Sequence, residues 1–296
     1  MSYQLRDIVR LHGRDFVFAS RYWRENLKRQ LSGSGRKSFV LCNSYPKSGT
    51  HLLYQILYSL PELNQWNDIV SVQALCGVMN TPDHIRWKIG SAPDGSIIKS
   101  HLMYTEPVLK TLSEFDCRRL FIYRDLRDVA VSHARWITKE ERIFLHDVYR
   151  HYDSFDQQLM ASIKGVPLGS PLGSNLSQPD IGTDFSRWQG WVNDPNTYAV
   201  KFEDLVGARG GGSEDKRLHI VTEIAEFLDI ELTSEQVSKT FASTALNPEE
   251  SHTFKKGGKG SIGGWRSVFN EEHKAAFKQL AGQILIELGY EEDLNW

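Results

Sequence analysis

The feature that most constrains this chain is a change of hydrophobic period between residues 39 and 60. Residues 39–45 form a short, mostly apolar run typical of a buried strand, whereas residues 50–60 place their leucines and isoleucine at helical spacing. The segment PKSGT, residues 46–50, lies where the period changes. The sequence therefore predicts a strand that turns through a glycine-containing loop into a helix, whose unpaired N–H groups converge at the loop.

This loop is predicted to bind an anion, because N–H groups at a helix start and the helix dipole favour negative charge. Lys47 and the hydroxyls of Ser48 and Thr50 add donors that suit a phosphate or a phosphate-like group. In the nucleotide-triphosphate P-loop, GxxxxGK[ST], the lysine follows the second glycine, but here Lys47 precedes Gly49 and no glycine stands five residues upstream. A related loop for another ligand is favoured, and a structural turn with a surface lysine is the alternative.

Length and composition fit one large α/β domain. The chain has 296 residues, 40% of them hydrophobic, and no long Pro- or Ser-rich linker divides it. A net charge of −2 gives no global attraction to nucleic acid or lipid. The three cysteines are widely spaced, so we predict reduced packing thiols and a cytoplasmic protein. We expect no processed leader and no membrane span, because no apolar stretch approaches the roughly 18 residues that a span needs.

Two segments are expected to lie outside the regular core. Residues 1–36 are predicted to form a basic helical extension, since residues 1–37 carry nine Lys or Arg and three acidic residues. Its apolar side is expected to pack on the main domain, residues 37–296, and a docking arm for a partner or an anionic surface is the alternative. Residues 164–187 break down into Pro, Gly, Ser and Asn and are predicted to form a mobile lid. Residues 61–94 show no clear period.

Polar residues follow two further predicted strands. Lys99 and His101 stand at the end of a short strand at residues 97–98, and Arg124 follows a strand at residues 120–123. Open parallel sheets bind ligands at the carboxyl ends of their strands. A histidine at such an end can act as a general base because its unperturbed pKa is close to neutral, and a structural or surface histidine is the alternative.

Arg124 is suited to phosphate because its planar guanidinium forms two parallel hydrogen bonds. Ser132, two turns into the following predicted helix, can converge with Arg124 on one phosphate if that helix doubles back over the loop. The alternative is a plain helix start with Arg127 and Asp128 as surface charges, which leaves Arg124 unexplained.

A glycine-rich segment at residues 252–269 holds five glycines and three lysines. Ordering so many glycines is entropically costly, which makes sense if the backbone and ammonium groups wrap a polyanion. Trp265 and Phe269 are predicted to anchor the segment, as a plain flexible linker would not need them.

Taken together, these residues resemble the soluble, cytosolic-type sulfotransferases that use 3′-phosphoadenosine-5′-phosphosulfate (PAPS). The resemblance covers residues 37–290 and rests on six segments in the family's order. Residues 45–50 resemble the 5′-phosphosulfate loop, residues 99–102 the lysine and catalytic histidine, and Arg124 with Ser132 the 3′-phosphate pair. Residues 201–205 are similar to the segment whose aromatic residue, here Phe202, faces the adenine. Thr240 and Phe241 resemble a further adenine contact, and residues 259–266 the loop that closes over the 3′-phosphate.

The resemblance implies a three-layer α/β fold of the P-loop NTPase-like type, in which helices flank a central parallel β-sheet. It also implies transfer of a sulfuryl group from PAPS to an acceptor hydroxyl, in line, with His101 as general base and 3′-phosphoadenosine-5′-phosphate (PAP) as product. Lys47 would stabilise the bridging oxygen as the nucleotide leaves, and Lys99 would lie beside the transferred group. The backbone N–H groups of residues 48–51 would hold the 5′-phosphate. No metal is expected. The implied nucleotide-binding residues are Lys47, Ser48, Gly49, Thr50, His51, Arg124, Ser132, Phe202, Thr240, Phe241, Lys256, Lys259 and Gly260.

Three positions depart from the usual pattern of this family. Leu52 stands where a tryptophan commonly stacks on the adenine. Gly258 occupies the usual arginine position of the closing loop, which leaves Lys255 or Lys256 to contact the 3′-phosphate. Gly264 replaces an aspartate.

The acceptor is expected to be a lipophilic alcohol or phenol, free or carrier-bound, in preference to a polyanionic sugar. This rests on apolar and aromatic residues that could equally belong to the core, namely Trp66, Met79, Trp87, Met103, Tyr104, Trp136, Phe144 and Tyr149. The alternatives to a sulfotransferase are a P-loop kinase or ATPase-like phosphotransferase and a non-catalytic nucleotide-binding protein. No nucleic-acid partner is expected, and the oligomeric state is left open.

Overall fold

Five parallel strands organise the fold. The computed structural model describes residues 2–33, 35, 37–73, 79–169, 177–233, 235–237 and 262–296. The strands are β1 (Ser38–Ser44), β2 (Asn64–Ser71), β3 (Ser96–His101), β4 (Asp116–Tyr123) and β5 (Thr197–Lys201). They form one sheet in the order β2-β3-β1-β4-β5, and each pair of neighbours in this order is parallel.

Helices connect the strands and cover the sheet. The first of them are α1 (Ser2–Ser32), α2 (Thr50–Ser59), α3 (Pro82–Gly90), α4 (Glu106–Leu112), α5 (Leu126–Ile137), α6 (His146–Arg150) and α7 (Phe155–Lys164). They are followed by α8 (Ile181–Ser186), α9 (Gly190–Asn193), α10 (Phe202–Leu205), α11 (Glu214–Phe227) and α12 (Glu271–Glu287). Short 3₁₀ turns occupy Ala208–Gly210 and Gly264–Ser267.

Alternate residues of β1 face two separate hydrophobic clusters. Phe39 and Leu41 are buried with residues of α3, α4, α5, α7 and α12. Val40 and Cys42 are buried on the other face with residues of α2 and α11. Side chains of a strand alternate between the faces of its sheet, so an apolar run such as β1 requires helices on both sides. The three-layer α/β fold predicted from the sequence is confirmed.

The sheet brings three predicted site segments to one edge. β1 lies between β3 and β4, at the point where the chain first runs to one side of β1 and then to the other. Open α/β sheets bind ligands outside the carboxyl ends of the strands at such a switch point. The loop after β1, His101 at the end of β3 and Arg124 directly after β4 all lie at this edge.

The structure differs from the sequence predictions in three stretches. Residues 61–94 contain β2 and α3, although their sequence shows no clear period. The predicted lid at residues 164–187 contains α8, whose Ile181 and Phe185 belong to the core, while residues 170–176 lie outside the described residues. The sequence of residues 197–202 predicts a single strand, but β5 ends at Lys201 and Phe202 begins α10.

The helical extension predicted at the start of the chain is α1, and one of its faces packs on α3. Phe18 is buried there, and its ring meets the ring of His84 edge to face. Asp15 pairs with the same histidine, and the ring of Tyr22 lies so close to Gly90 that no side chain would fit at that glycine. The division between residues 1–36 and 37–296 stays a prediction. In the part of the chain that the structure describes, no helix combines the length and apolar character needed to cross a bilayer.

Candidate active site

The loop between β1 and α2 is tightly closed. Lys47 and Gly49 have φ values of 69° and 106°, a region that non-glycine residues seldom adopt. A Cβ at Gly49 would lie 2.6 Å from Cδ2 of Phe202, so only glycine fits. The N–H of Ser48 donates to the carbonyl of Tyr45 at 3.1 Å. This N–H therefore closes the loop here, whereas the resemblance assigned it to the 5′-phosphate.

The loop presents two polar side chains in a poorly solvated place. Ser48 is fully buried, and its hydroxyl has no hydrogen-bond partner among the described residues. Nζ of Lys47 lies 4.6 Å from the ring centroid of Trp136. Burial, together with the nearby charge of Arg124, lowers the pKa of Lys47 to about 8. An anion in the loop would give the hydroxyl a partner and the ammonium a counter-charge.

His101 is fixed by Ser44, the last residue of β1. Its Nδ1 lies 3.1 Å from the carbonyl oxygen of Ser44 and 3.1 Å from the Ser44 hydroxyl. Because a carbonyl only accepts, the bond assigns the imidazole proton to Nδ1 and leaves Nε2 able to accept a proton. The Ser44 hydroxyl also forms a hydrogen bond of 2.6 Å with Oγ1 of Thr50. One hydrogen-bond chain thus connects the imidazole to the start of α2.

The surroundings of His101 favour its neutral form. Burial lowers the pKa of His101, the bond to the Ser44 carbonyl opposes part of this effect, and His51 and Lys47 add to it. A general base must be unprotonated, so this direction suits the role predicted for His101. Lys99 lies on the same face of β3, with Nζ 4.4 Å from the ring centroid of Tyr54 in α2. Burial lowers the pKa of Lys99 as well.

Arg124 is buried and oriented by two neighbours. Its Nη2 donates to Oδ2 of Asp128 at 3.2 Å, one helical turn away. The guanidinium carbon lies 4.3 Å from the ring centroid of Phe202. Phe202 is only 3% exposed and lies between Arg124 and Gly49. Phe202 therefore packs beneath the loop, and its contact with the adenine stays a prediction.

The remaining predicted site residues are more exposed or lie outside the described part of the chain. His51 is exposed in the first turn of α2, and Ser132 is half-buried on α5, the helix that follows Arg124. Five predicted residues lie outside the described part of the chain, namely Thr240, Phe241, Lys256, Lys259 and Gly260. Their contacts with the nucleotide stay predictions.

Arg127 and Asp128 are buried, so their interpretation as surface charges is wrong. Burial raises the pKa of Asp128, but its carboxylate accepts from the backbone N–H groups of Gly263 and Trp265, each at 2.9 Å. The guanidinium carbon of Arg127 lies 4.1 Å from the ring centroid of Trp265 and 4.4 Å from that of Trp296. These buried charges hold the described end of the glycine-rich segment against α5, and Trp265 acts as the predicted anchor.

Asn43 is a positioning residue that the sequence analysis missed. Its side chain is fully buried in β1. Nδ2 donates to the carbonyl of Leu102 at 2.9 Å, and Oδ1 accepts from the N–H of Leu102 and the hydroxyl of Ser100, each at 2.9 Å. The residues on both sides of His101 are therefore clamped to β1. A single asparagine within an apolar run is the only sequence signal of this role.

The acceptor candidates do not form one group. Trp136 and Phe144 pack against a cluster of α5, α6 and α7 residues in which Tyr149 is completely buried, and Trp136 also lies beside Lys47. Three other candidates, Trp66, Met103 and Tyr104, pack against the separate core cluster that contains Phe39 and Leu41. His133 lies next to this cluster, with Nδ1 2.9 Å from the hydroxyl of Ser162, and burial with the nearby charge of Lys47 lowers the pKa of His133 to about 4. Across the described residues, no three His, Cys, Asp or Glu side chains gather as metal ligands would.

Comparison with known proteins agrees with this arrangement. The family model described as sulfotransferase domain matches residues 37–289. Sulfotransferase 6B1 of Danio rerio is 23% identical over 94% of this chain and 89% of its own length. Flavonol 4′-sulfotransferase of Flaveria chlorifolia is 22% identical over 88% of this chain and 83% of its own length.

Two solved structures share the fold. Mouse sulfotransferase SULT7A1, in complex with PAP, superposes with a TM-score of 0.56 at 19% identity and covers 84% of both chains. Retinol dehydratase, in complex with androsterone and PAP, superposes with a TM-score of 0.52 at 15% identity and covers 84% of this chain and 80% of that one. With the family match extending from β1 to the end of α12, this chain belongs to the sulfotransferase domain family.

Proposed function

We propose that this protein transfers a sulfuryl group from PAPS to a hydroxyl of a small molecule, with His101 as the general base. The observation that carries the proposal is the bond from Nδ1 of His101 to the Ser44 carbonyl, which leaves Nε2 as the proton acceptor beside the loop. PAP in the complexes of mouse SULT7A1 and retinol dehydratase supports PAPS as the donor.

The described residues fit the charge of such a nucleotide. The buried hydroxyl of Ser48 has no partner among the residues that the structure describes, and Lys47 is a cation in a poorly solvated place. Lys47, Ser48, Thr50 and the start of α2 would hold the 5′ side of the nucleotide, and Arg124 with Ser132 would hold its 3′-phosphate. PAPS, when bound, supplies the sulfuryl group.

The protein groups then have distinct tasks. His101 removes the proton from the acceptor hydroxyl, since an alcohol becomes a strong nucleophile only as that proton leaves. Lys47 and Lys99 neutralise negative charge that develops during transfer, and their partial burial strengthens this electrostatic stabilisation. The hydrogen bond from Nδ1 of His101 to the Ser44 carbonyl and the clamp formed by Asn43 keep the imidazole in one orientation.

A small phenol or alcohol is the acceptor class that the comparisons support. Relatives of this chain include flavonol 4′- and flavonol 3-sulfotransferases, and one structural neighbour binds androsterone. Trp136 next to Lys47 offers an aromatic surface for such a ring.

The proposal is tested with His101→Ala and the matched control His151→Ala, since His151 is an exposed histidine just after α6 whose Nδ1 hydrogen-bonds the carbonyl of Asp147 in that helix. Transfer of labelled sulfate from PAPS to a panel of phenols and alcohols should fall by roughly 10²- to 10⁴-fold in His101→Ala and stay unchanged in the control. Calorimetry should show PAP binding without magnesium, within about threefold of wild type in both variants. Absence of PAP binding by the wild type would overturn the proposal, and loss of PAP binding in His101→Ala would make this histidine structural.

A further inference from the structure

The exposed face of α1 carries an apolar stripe that no described residue covers. Phe16, Trp23, Leu27 and Leu31 are 77%, 63%, 57% and 80% exposed. Their spacing of seven, four and four residues places them on one side of the helix. Five of the eleven large, exposed hydrophobic residues in the described chain lie on α1 between residues 16 and 31, so this is a cluster and not a scatter of single residues.

The stripe is exposed although α1 is firmly docked. The opposite side of the helix packs on α3 through Phe18, Tyr22 and the pair between Asp15 and His84. Arg29 on this side also pairs with Asp94, near the start of β3. The fold of this chain therefore fixes α1 in an orientation that presents the stripe outward.

Basic side chains run alongside the stripe. Arg21 is exposed, and the side chains of Arg24 and Lys28 are 66% and 65% exposed. Glu25, which is less exposed, pairs with both Arg24 and Lys28, so the outward face keeps a net positive charge. The net charge of this segment is opposite to that of the rest of the protein. Residues 1–37 carry nine basic and three acidic residues, whereas residues 38–296 carry 26 basic and 34 acidic residues.

We infer that α1 binds the protein to an anionic lipid surface, with Phe16, Trp23, Leu27 and Leu31 at the boundary between headgroups and acyl chains. A helix with tryptophan, phenylalanine and leucine on one face and arginine or lysine beside them is the type that lies in a bilayer interface. The charge distribution favours this occupant, since an anionic surface attracts α1 and repels the acidic remainder of the chain, which sets one orientation. An apolar protein partner would use the stripe but would have no need for the basic flank.

Vesicle sedimentation with the full chain tests the inference. We expect binding to vesicles of phosphatidylcholine and phosphatidylserine, and weak or no binding to phosphatidylcholine alone. Trp23→Glu/Leu27→Glu should weaken binding at least about tenfold, and Arg24→Gln/Lys28→Gln should weaken it by roughly fivefold for each charge and reduce its salt dependence. Leu218→Glu, which changes an exposed leucine on α11, is the matched control and should bind as the wild type does.

Two further measurements test whether misfolding of the variants or dimerisation through the stripe explains the result. PAP affinity and the midpoint of thermal unfolding should be unchanged in the α1 variants, because the replaced side chains are exposed, so a loss of vesicle binding would not reflect misfolding. Sedimentation velocity would show whether the wild type dimerises and whether Trp23→Glu/Leu27→Glu dissociates the dimer. Equal binding of wild type and double variant to the anionic vesicles overturns the inference, as does a dimer that depends on the stripe without vesicle binding.

Discussion

Oδ2 of Asp128 lies 3.2 Å from Nη2 of Arg124, and the same carboxylate accepts from the N–H groups of Gly263 and Trp265. The proposed 3′-phosphate ligand and the described end of the glycine-rich segment therefore share one buried anion. Arg124 is held by this contact and by Phe202 before any nucleotide arrives. Such preorganisation lowers the entropic cost of binding.

Removing the Asp128 carboxylate should destabilise the protein, and PAP binding should restore part of the lost stability. Asp128→Ala removes an anionic partner of the buried Arg124 and the acceptor of two backbone N–H groups, so we expect the free energy of unfolding to fall by about 3 to 5 kcal/mol. Urea unfolding measures this, with the exposed Asp147→Ala as a control that should change by less than about 0.5 kcal/mol. The variant loses the preorganisation of Arg124, but a 3′-phosphate supplies the missing negative charge, and we expect this electrostatic gain to be the larger effect. PAP should therefore raise the melting temperature of Asp128→Ala more than that of wild type, whereas adenosine 5′-phosphate, which has no 3′-phosphate, should not. A smaller response to PAP would contradict this.

Arg124 should discriminate between nucleotides with and without a 3′-phosphate. Arg124→Ala should cost roughly 2 kcal/mol or more of PAP binding and little of adenosine 5′-phosphate binding, because only PAP loses a charge-assisted contact. Arg124→Lys keeps the positive charge opposite Asp128 but lacks the planar guanidinium, so its loss of PAP binding free energy should lie between those of wild type and Arg124→Ala. Calorimetry with PAP and with adenosine 5′-phosphate measures these losses. Equal losses of affinity for the two nucleotides would refute Arg124 as the 3′-phosphate ligand.

Binding of PAP should weaken as the pH rises through about 8. Burial and the neighbouring Arg124 lower the pKa of Lys47 to about 8, so the free protein loses this cation above that pH, whereas a bound anion favours the protonated form. The dissociation constant of PAP should therefore rise by up to about tenfold for each pH unit above about 8. Lys47→Arg is the control, because arginine stays charged and should remove this alkaline dependence. A wild-type affinity that is flat across this range would show that Lys47 does not contact the nucleotide.

The sequence predicted correctly those elements whose structure depends mainly on residues close together in the chain. The change of period across residues 39–60 predicted β1, the loop and α2, because burial on both faces and a helical repeat each leave a distinct pattern. The sequence did not predict β2, because it is an edge strand of mixed polarity, Asn-Gln-Trp-Asn-Asp-Ile-Val-Ser. Among the described strands it pairs with β3 alone, and the register of that pairing shifts along the strand. Its strand conformation is fixed by its neighbour more than by its own residues.

The burial of Arg127 and Asp128 could not be predicted from the sequence. Arg127 and Asp128 look like surface residues in a helix start, and their burial depends on partners 135 to 164 residues away, namely Gly263, Trp265 and Glu291. No local pattern encodes such distant contacts. One signal was present, since Arg124 and Asp128 stand four residues apart, the spacing of an ion pair on one helical turn.

Asn43 should affect catalysis through the placement of His101. Asn43→Ala would leave the buried N–H of Leu102 and the hydroxyl of Ser100 without their acceptor, so we expect the free energy of unfolding to fall by about 2 to 4 kcal/mol. Since these residues flank His101, kcat should fall by about tenfold or more while PAP affinity stays within about threefold. Asn64→Ala, which removes a single exposed bond to the carbonyl of Asp94, is the control and should cost less than about 1 kcal/mol. Initial rates at saturating PAPS, calorimetry with PAP and urea unfolding separate the effects, and a loss of PAP affinity with normal kcat would rule out this positioning role.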